Sequence, residues 1–444
     1  MIVTVIKAEI EAEAGWGVGT SDVDAVGLDR ELLTDPHGHP WVPPSSLAGS
    51  LRAHLAGHDA DERLMGRRPP HDGAQPAPNP AAQLTPSALW LLGTRARRKD
   101  TDRHDKDGAN LDNVSKPDGS RSHEPPPPRT DVVASTAVDP VRRAALPKSL
   151  RHSRVVDEAA IIEFYVLLER KLTAAERELL AAWQPQIGRD RTHGGGLAQL
   201  RSIGYRTYDL VQPADLRAWL EAAGPYRFTA LTPIPIKTVE PSLPPLPPTD
   251  FIINAALHIG TGSRRGRNAA IRTRGSRPLV PASTWKGMFR ARVGYIIRSC
   301  WDKDAACVTQ AGCGNCPLCS LFGSTHGRGR IAFRDSLISQ PHLQERSHVA
   351  IDRISGGGQD KLLFTDDVVT AGRLTLRVSS LGPVVEWERS LLLHVVRDIH
   401  DGLIGIGRGA QRGQGTLRLA DALHPALTVR PLPTESPVVE AVGD

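Results

Sequence analysis

Trp41-Val-Pro-Pro-Ser-Ser-Leu-Ala-Gly-Ser-Leu-Arg-Ala-His-Leu55 and Leu279-Val-Pro-Ala-Ser-Thr-Trp-Lys-Gly-Met-Phe-Arg-Ala-Arg-Val293 share the skeleton V-P-x-S-[ST]-x-x-G-x-x-R. An extended proline step followed by a hydroxyl residue marks a helix start. Each stretch therefore predicts a helix, capped by Ser45 and Ser283 or by the hydroxyl residue after each. The glycine falls in its first turn and the arginine in the next.

Further matches keep the same order along the chain. Gly17-Val-Gly-Thr20 pairs with His258-Ile-Gly-Thr261, Leu64-Met-Gly66 with Leu321-Phe-Gly323, and Val138-Asp139 with Ile351-Asp352. Val155-Val156 pairs with Val368-Val369. Ile187-Gly-Arg189 and His193-Gly-Gly-Gly196 pair with Ile406-Gly-Arg408 and Arg412-Gly-Gln-Gly415. One short pair is chance, whereas an ordered series argues that the chain contains itself twice. With 444 residues there is room for two cores.

These matches divide the chain into a first copy over 1–225, a proline-rich linker over 226–249, a second copy over 250–430 and a disordered tail over 431–444. The stretch from about 98 to 130 is charged and poor in large apolar residues, and reads as a flexible insertion. Each copy reads as a strand, a glycine turn, a helix, further strands such as Ala160–Leu168 and Arg373–Val378, a second helix (Thr173–Trp183; Glu386–Ile399), a glycine loop and a last strand. That order predicts an α+β fold of two ferredoxin-like, RRM-like βαββαβ domains in tandem with loop insertions.

Lys and Arg total 55 against 49 Asp and Glu, a mild excess that is weak evidence by itself. Its distribution says more. Ser263–Arg277 carries Arg264, Arg265, Arg267 and three further arginines with no acid. A solvated basic loop is the ordinary reading of such a run. The glycine loops, each with an arginine, let a backbone approach phosphates closely, although neither is a Walker or dinucleotide fingerprint. Their recurrence beside a basic helix motif favours a polyanion site. No run of about 18 apolar residues is present, so no membrane span is expected, and the cytoplasm is the expected compartment.

Cys307, Cys313, Cys316 and Cys319 carry the strongest chemical signal. Two nested C-x-x-C steps put thiolates on one turn, and Cys307 closes a tetrahedral set suited to structural Zn²⁺, with Cys300 as a possible substitute for it. The first copy has no counterpart.

The proline-led S-[ST]-x-K-G-x-x-R, the C-x-x-C-x-x-C-x-L-F-G, the Ile-Asp-Arg segment and the terminal G-x-G-R-x-x-x-R-G-x-G loop together resemble the RAMP-superfamily backbone subunits of type III CRISPR effector complexes. The resemblance covers nearly the whole chain, in two copies, with the second the closer. The first departs at Ala48, where the motif carries lysine. The resemblance implies CRISPR guide RNA, complementary single-stranded target RNA and other effector subunits as partners. It places Ser283, Lys286 and Arg290, with Ser45, Ser46 and Arg52, on guide-RNA phosphates. Arg189, Arg264, Arg265, Arg267, Arg408 and Arg412 join them as RNA-binding candidates. The segments after Asp139 and Asp352 resemble a thumb-like hairpin that interrupts the guide–target duplex.

Cleaving members of that family carry an aspartate shortly before the V-P-x-S helix. Counting back 14 positions from Pro43 reaches Asp29, with Asp22, Asp24 and Asp35 as rivals; the same step back from Pro281 reaches Arg267. Asp29 is thus the expected catalytic residue. It would hold Mg²⁺ or another divalent cation, or help orient the RNA 2′-hydroxyl. Two alternatives remain at this point: a structural RNA-binding subunit without catalysis, and a stand-alone precursor-RNA-processing endoribonuclease using His37, His39 or His54.

Overall fold

The computed structural model describes residues 1–13, 15–20, 28–66, 89–99, 127–139, 141, 144–222, 224–237, 245–265, 268–309, 311–429 and 431–432. Most of the expected insertion at 98–130, the middle of the proline-rich stretch, Arg267, Asp22, Asp24 and most of the C-terminal tail lie outside them. The fold is α+β, rich in strands.

In the first half the elements run β1 (Ile2–Ala12), α1 (Pro44–Leu55), α2 (Asp59–Met65), β2 (Leu89–Arg98), β3 (Thr130–Ser135), β4 (Arg151–Val156), β5 (Ala160–Leu168), α3 (Ala174–Ala181), β6 (Ala198–Asp209), α4 (Pro213–Glu221) and the two-residue β7 (Thr232–Pro233). Apolar alternation in β1 makes it the centre of an antiparallel sheet ordered β2-β5-β1-β6-β7. With α1 and α3 as its helices, β1, β2, β5 and β6 follow a βαββαβ order. Ile6, Ala8, Ile10 and Phe164 pack with Leu47, Leu51, Leu55 and Leu180 of the helices in one core.

The second half contributes β8 (Thr249–Ile253), β9 (Gly260–Arg265), β10 (Asn268–Ile271), β11 (Thr273–Arg274), β12 (Arg277–Val280), α5 (Ala282–Cys300), α6 (Pro317–Phe322), β13 (Ile331–Phe333), β14 (Ser336–Leu337), β15 (Ser339–Ile351), β16 (Gly358–Leu376), β17 (Val378–Ser380), α7 (Glu386–His400) and β18 (Leu417–Leu419). Here β18-β8-β16-β10-β9 form the main sheet, and β13 pairs with β17 just beyond β16. Phe251 and Leu374 pack with Trp285 and Phe289 of α5 and Leu392 and Val396 of α7 in a second core.

Both second helices begin on the same device. Thr173 and Glu176 form a capping box at α3, and Arg170 holds the buried Glu176 carboxylate at 2.7 and 2.9 Å. At α7, Glu388 accepts the Val385 N–H at 3.1 Å and is held by Arg330. A carboxylate that stays buried needs such a partner.

The two motif helices start differently from the sequence expectation. Pro43 and Pro281 occupy the cap positions, and neither helix has a side-chain cap among its serines. Ser45 and Ser283 lie inside the first turn instead. Proline already fixes the extended φ the cap position needs. At α5 the orphan donor is satisfied from elsewhere: Asp335 Oδ1 accepts the Ala282 N–H at 2.7 Å.

The proline-rich stretch is pinned at both ends. Thr232 and Pro233 pair with β6, Ile234 is buried in the first core and Leu246 in the second. The halves also touch directly. Arg274 reaches Asp157 at 3.2 Å, Arg334 reaches Glu13 at 2.5 Å, and Arg328 donates to Gln186 at 2.8 Å.

Candidate nucleic-acid interface and metal centre

Backbone geometry matches residue by residue in the two glycine loops. Gly188, Asp190, Gly194 and Gly196 have left-handed φ, as do Gly407, Gly409, Gly413 and Gly415. A Cβ on Gly188 would lie 1.9 Å from Gly17 O, and one on Gly407 2.4 Å from His258 O. These glycines let each loop close over the preceding Gly17–Thr20 or His258–Thr261 turn.

The loops differ in surroundings. The first docks on the second half: a Cβ on Gly194 would lie 2.5 Å from Ala282 Cβ, and Thr192 Oγ1 accepts from Lys286 Nζ. Lys286, expected on RNA phosphates, is therefore 7% exposed and faces this contact. Burial, with Arg290 nearby, pushes its pKa down to about 8. Surrounding protein strips water from the His193 imidazole and, with Lys286 beside it, holds its pKa down to about 4, although part of the residue remains open to solvent.

The motif arginines are also turned inward, and in the same manner. Arg52 donates to Met65 O at the end of α2. Arg290 donates to Gly323 O at 2.6 Å at the end of α6, and its other nitrogen lies 3.6 Å from Cys319 Sγ. Each thus ties the motif helix to the next short helix. Ser45 and Ser283 stay exposed, Ser46 half-buried. Gly49 and Gly287, one turn beyond Ser45 and Ser283, are exposed, and a Cβ at either would meet nothing within 4 Å. Among the arginines, Arg412 is exposed, and Arg264 and Arg265 lie on β9.

Asp29 is exposed beside β4. Its Oδ2 accepts the His152 N–H at 2.7 Å, and its own N–H donates to His152 O at 3.0 Å. Its rival Asp35 is spent on its own turn, accepting the His37 and His39 N–H groups at 2.9 Å. His54 bonds Leu179 O at 2.9 Å. Beside Arg30 and Glu31, Arg189 Nη2 is buried with no hydrogen-bond partner among the described residues, and a Cβ on Gly19 would strike Nη1.

Strand register corrects the match for Asp29. Trp16–Val156 and Leu257–Val369 are corresponding bridges, as are Gly19–Leu32 and Gly260–Ile271. Arg30 then pairs with Ser153 where Ala269 pairs with Asp366, which sets Asp29 against Asn268 and not against Arg267. The count from the prolines slipped because the turns differ by one residue. Thr34 and Pro40 bridge over five residues, Thr273 and Pro278 over four.

Cys307, Cys313, Cys316 and Cys319 have sulfurs all within 4.8 Å of one another, and no other cluster of three or more metal-ligating side chains occurs among the described residues. The sulfur of Cys307 lies 3.4 Å from that of Cys319 and 3.7 Å from that of Cys316. A tetrahedron with Zn–S near 2.3 Å has edges of about 3.8 Å, so the set fits a metal ion such as zinc. Cys300 is exposed and stands outside the cluster.

Residues 252–418 match the RAMP superfamily model. The matched segment runs from β8 to β18 and contains the motif helix α5, the four cysteines, the long β15–β16 hairpin and the second glycine loop. No curated relative matches the chain. No helix among the described residues is long and apolar enough to cross a membrane.

Asp335, Thr192 and the buried Asp366 were missed in the sequence. No local spacing marks them, because each gains its role from a partner far along the chain. The glycines at 49 and 287 were visible as a repeated position, and only exposure shows that they serve an outer surface.

Proposed function

We propose that the chain is a CRISPR RNA-binding backbone subunit of a type III interference complex, built from two RAMP copies over 1–225 and 250–430. On this reading the first copy cleaves guide-paired target RNA at Asp29 with a divalent cation. The observation that carries the RNA-binding part is the exposure of Ser45 with Gly49 and of Ser283 with Gly287, each pair one turn apart on its helix. An exposed helical glycine costs about 1 kcal/mol relative to alanine. Nothing among the described residues needs either position bare, so the open surface fits a backbone approaching from outside.

The RAMP match to 252–418 supports the same reading, and the shared loop geometry and bridge register support extending it to the first half. Ser45, Ser46, Ser283 and Arg412 are then the direct phosphate contacts, with Arg264, Arg265 and Arg267 in the adjoining basic loop. Arg52, Lys286 and Arg290 hold the helices in place behind them. Guide RNA, complementary RNA and other effector subunits are the proposed partners, and zinc the proposed occupant of the cysteine centre.

At Asp29 an exposed carboxylate suits a divalent ion shared with RNA phosphates, not an all-protein cage. When bound, that ion supplies charge neutralisation at the phosphate. The chain's own part is to fix the carboxylate through the His152 N–H, near the target 2′-hydroxyl. Asn268 has the corresponding place in the second half but no charge to contribute.

The test is to assemble the complex with guide RNA, add complementary RNA and Mg²⁺, and compare wild type with Asp29→Ala. Loss of one cut with target binding intact is expected. Unchanged cutting would sink the catalytic assignment.

A further inference from the structure

The geometry points to a nucleobase-stacking platform at the root of the β15–β16 hairpin, formed by Arg408, Phe364 and His348 and set in place by Asp366. It rests on the reading of the chain as an RNA binder and adds where, and by what chemistry, a single unpaired base is held.

Pairing of β15 with β16 sets His348 opposite Phe364, and their rings stack at 5.1 Å with planes 20° apart. The Arg408 guanidinium lies over the same ring, 5.6 Å from its centroid. Asp366, 2% exposed, holds Arg408 Nη1 at 2.9 Å and lies 3.6 Å from His348 Nε2. One buried carboxylate therefore anchors a cation on one aromatic ring while standing beside the other. His348 Nε2 itself is buried without a hydrogen-bond partner among the described residues.

The Arg408 side chain remains 49% exposed. A guanidinium tied by one nitrogen to a buried acid is poorly placed to follow a phosphate, because its charge is already engaged. What it still offers is a flat, pre-oriented face. Unstacked bases of single-stranded RNA bind such planes of arginine and aromatic rings, with little dependence on base identity. Leu362, 44% exposed and two residues before Phe364 on the same strand face, extends the apolar surface.

The matching hairpin of the first half sharpens the argument. Arg151 pairs with Ser135 there as Phe364 pairs with His348. Ser153 occupies the place of Asp366. Both aromatic rings are thus absent from the first-half positions, which carry Arg151 and Ser135, and Ser153 offers no carboxylate to hold an arginine plane, so the ring-backed platform is found in the second half alone.

The experiment titrates the full chain with single-stranded RNA, intact or carrying one abasic site stepped along the strand. Phe364→Leu keeps an apolar side chain without a π face, Phe364→Tyr restores the face, and Arg408→Lys keeps the charge without the plane. Melting curves identify any variant that is unfolded. Phe364→Leu and Arg408→Lys are expected to bind about tenfold more weakly with an unchanged salt slope. Phe364→Tyr should bind as wild type, and an abasic site at one position should weaken wild type but not Phe364→Leu. Wild-type affinity in both weakened variants would overturn the platform while leaving RNA binding intact. Loss of association with another protein subunit at unchanged RNA affinity would overturn it too, by assigning the stack to a protein contact. A chain that binds no RNA would remove the underlying reading itself.

Discussion

Glycine at positions 49 and 287 exposes a conflict between stability and use that one methyl group can test. Gly49→Ala and Gly287→Ala should each raise stability by about 0.5–1 kcal/mol, because both sites are helical, exposed and have open space for a Cβ. The same variants should weaken RNA binding, on the order of tenfold, if a phosphate backbone packs there. Thermal melts and RNA titration on one preparation read both effects; a gain in stability without any loss of binding would argue against the surface. Lys286 offers a second residue-scale test. Its folded pKa of about 8 lies below the ordinary lysine value of 10.5. Folding thus favours the neutral amine: the cost is fully present below pH 8 and is relieved as pH rises toward 10.5. A shift of that size is worth about 3 kcal/mol. Lys286→Met should be neutral or stabilising at pH 7, and the difference from wild type should shrink between pH 8 and 10.5. Destabilisation at pH 7 with no such convergence would contradict the burial cost.

At the scale of elements, α6 is six residues long and depends on its surroundings. Short helices of this kind are held by tertiary contacts, and here the four sulfurs and Arg290 gather its two ends. Removing metal with a chelator, or Cys316→Ser, should destabilise the second half by about 3–5 kcal/mol and abolish bound zinc measured on the purified chain. A fully stable, metal-free chain would dismiss the centre. The strand and helix elements were readable from the sequence where pattern was local: Ala160–Leu168 is a strand over that span, and the helix expected at Glu386–Ile399 runs to His400. The expected helix at Thr173–Trp183 is shorter, with Thr173 as its cap. The cap of α5 was misread because the local hydroxyls outweighed an acceptor, Asp335, that the fold brings from far along the chain, and that of α1 because Pro43 takes the cap position ahead of its serines. Counting from prolines misaligned Asp29 for a similar reason. A one-residue difference in a turn is invisible to counting and plain in a hydrogen-bond register.

Across the whole molecule, the two halves have the same loop shapes and bridge register but unequal surroundings. The first glycine loop is docked on α5, while the second leaves Arg412 exposed. The first half places an acid beside β4, and the second places an amide residue at the same register position. On the proposed function, that inequality leaves two RNA-holding copies of which only the first carries the acid. The cysteine set was legible from spacing alone. The inward turn of Lys286, Arg52 and Arg290 was not, since a basic residue on a motif helix looks alike whether it meets phosphate or a carbonyl.

Moving the acid between copies tests this most directly. Cut positions on a guide-paired target RNA would be mapped for wild type, Asp29→Asn, Asn268→Asp and the double variant, each with target binding measured alongside. The expected result is one cut for wild type, none for Asp29→Asn, an added displaced cut for Asn268→Asp, and only the displaced cut for the double variant. A cut that survives Asp29→Asn unchanged, or an Asn268→Asp chain that binds target fully and gains no new cut, would contradict the account.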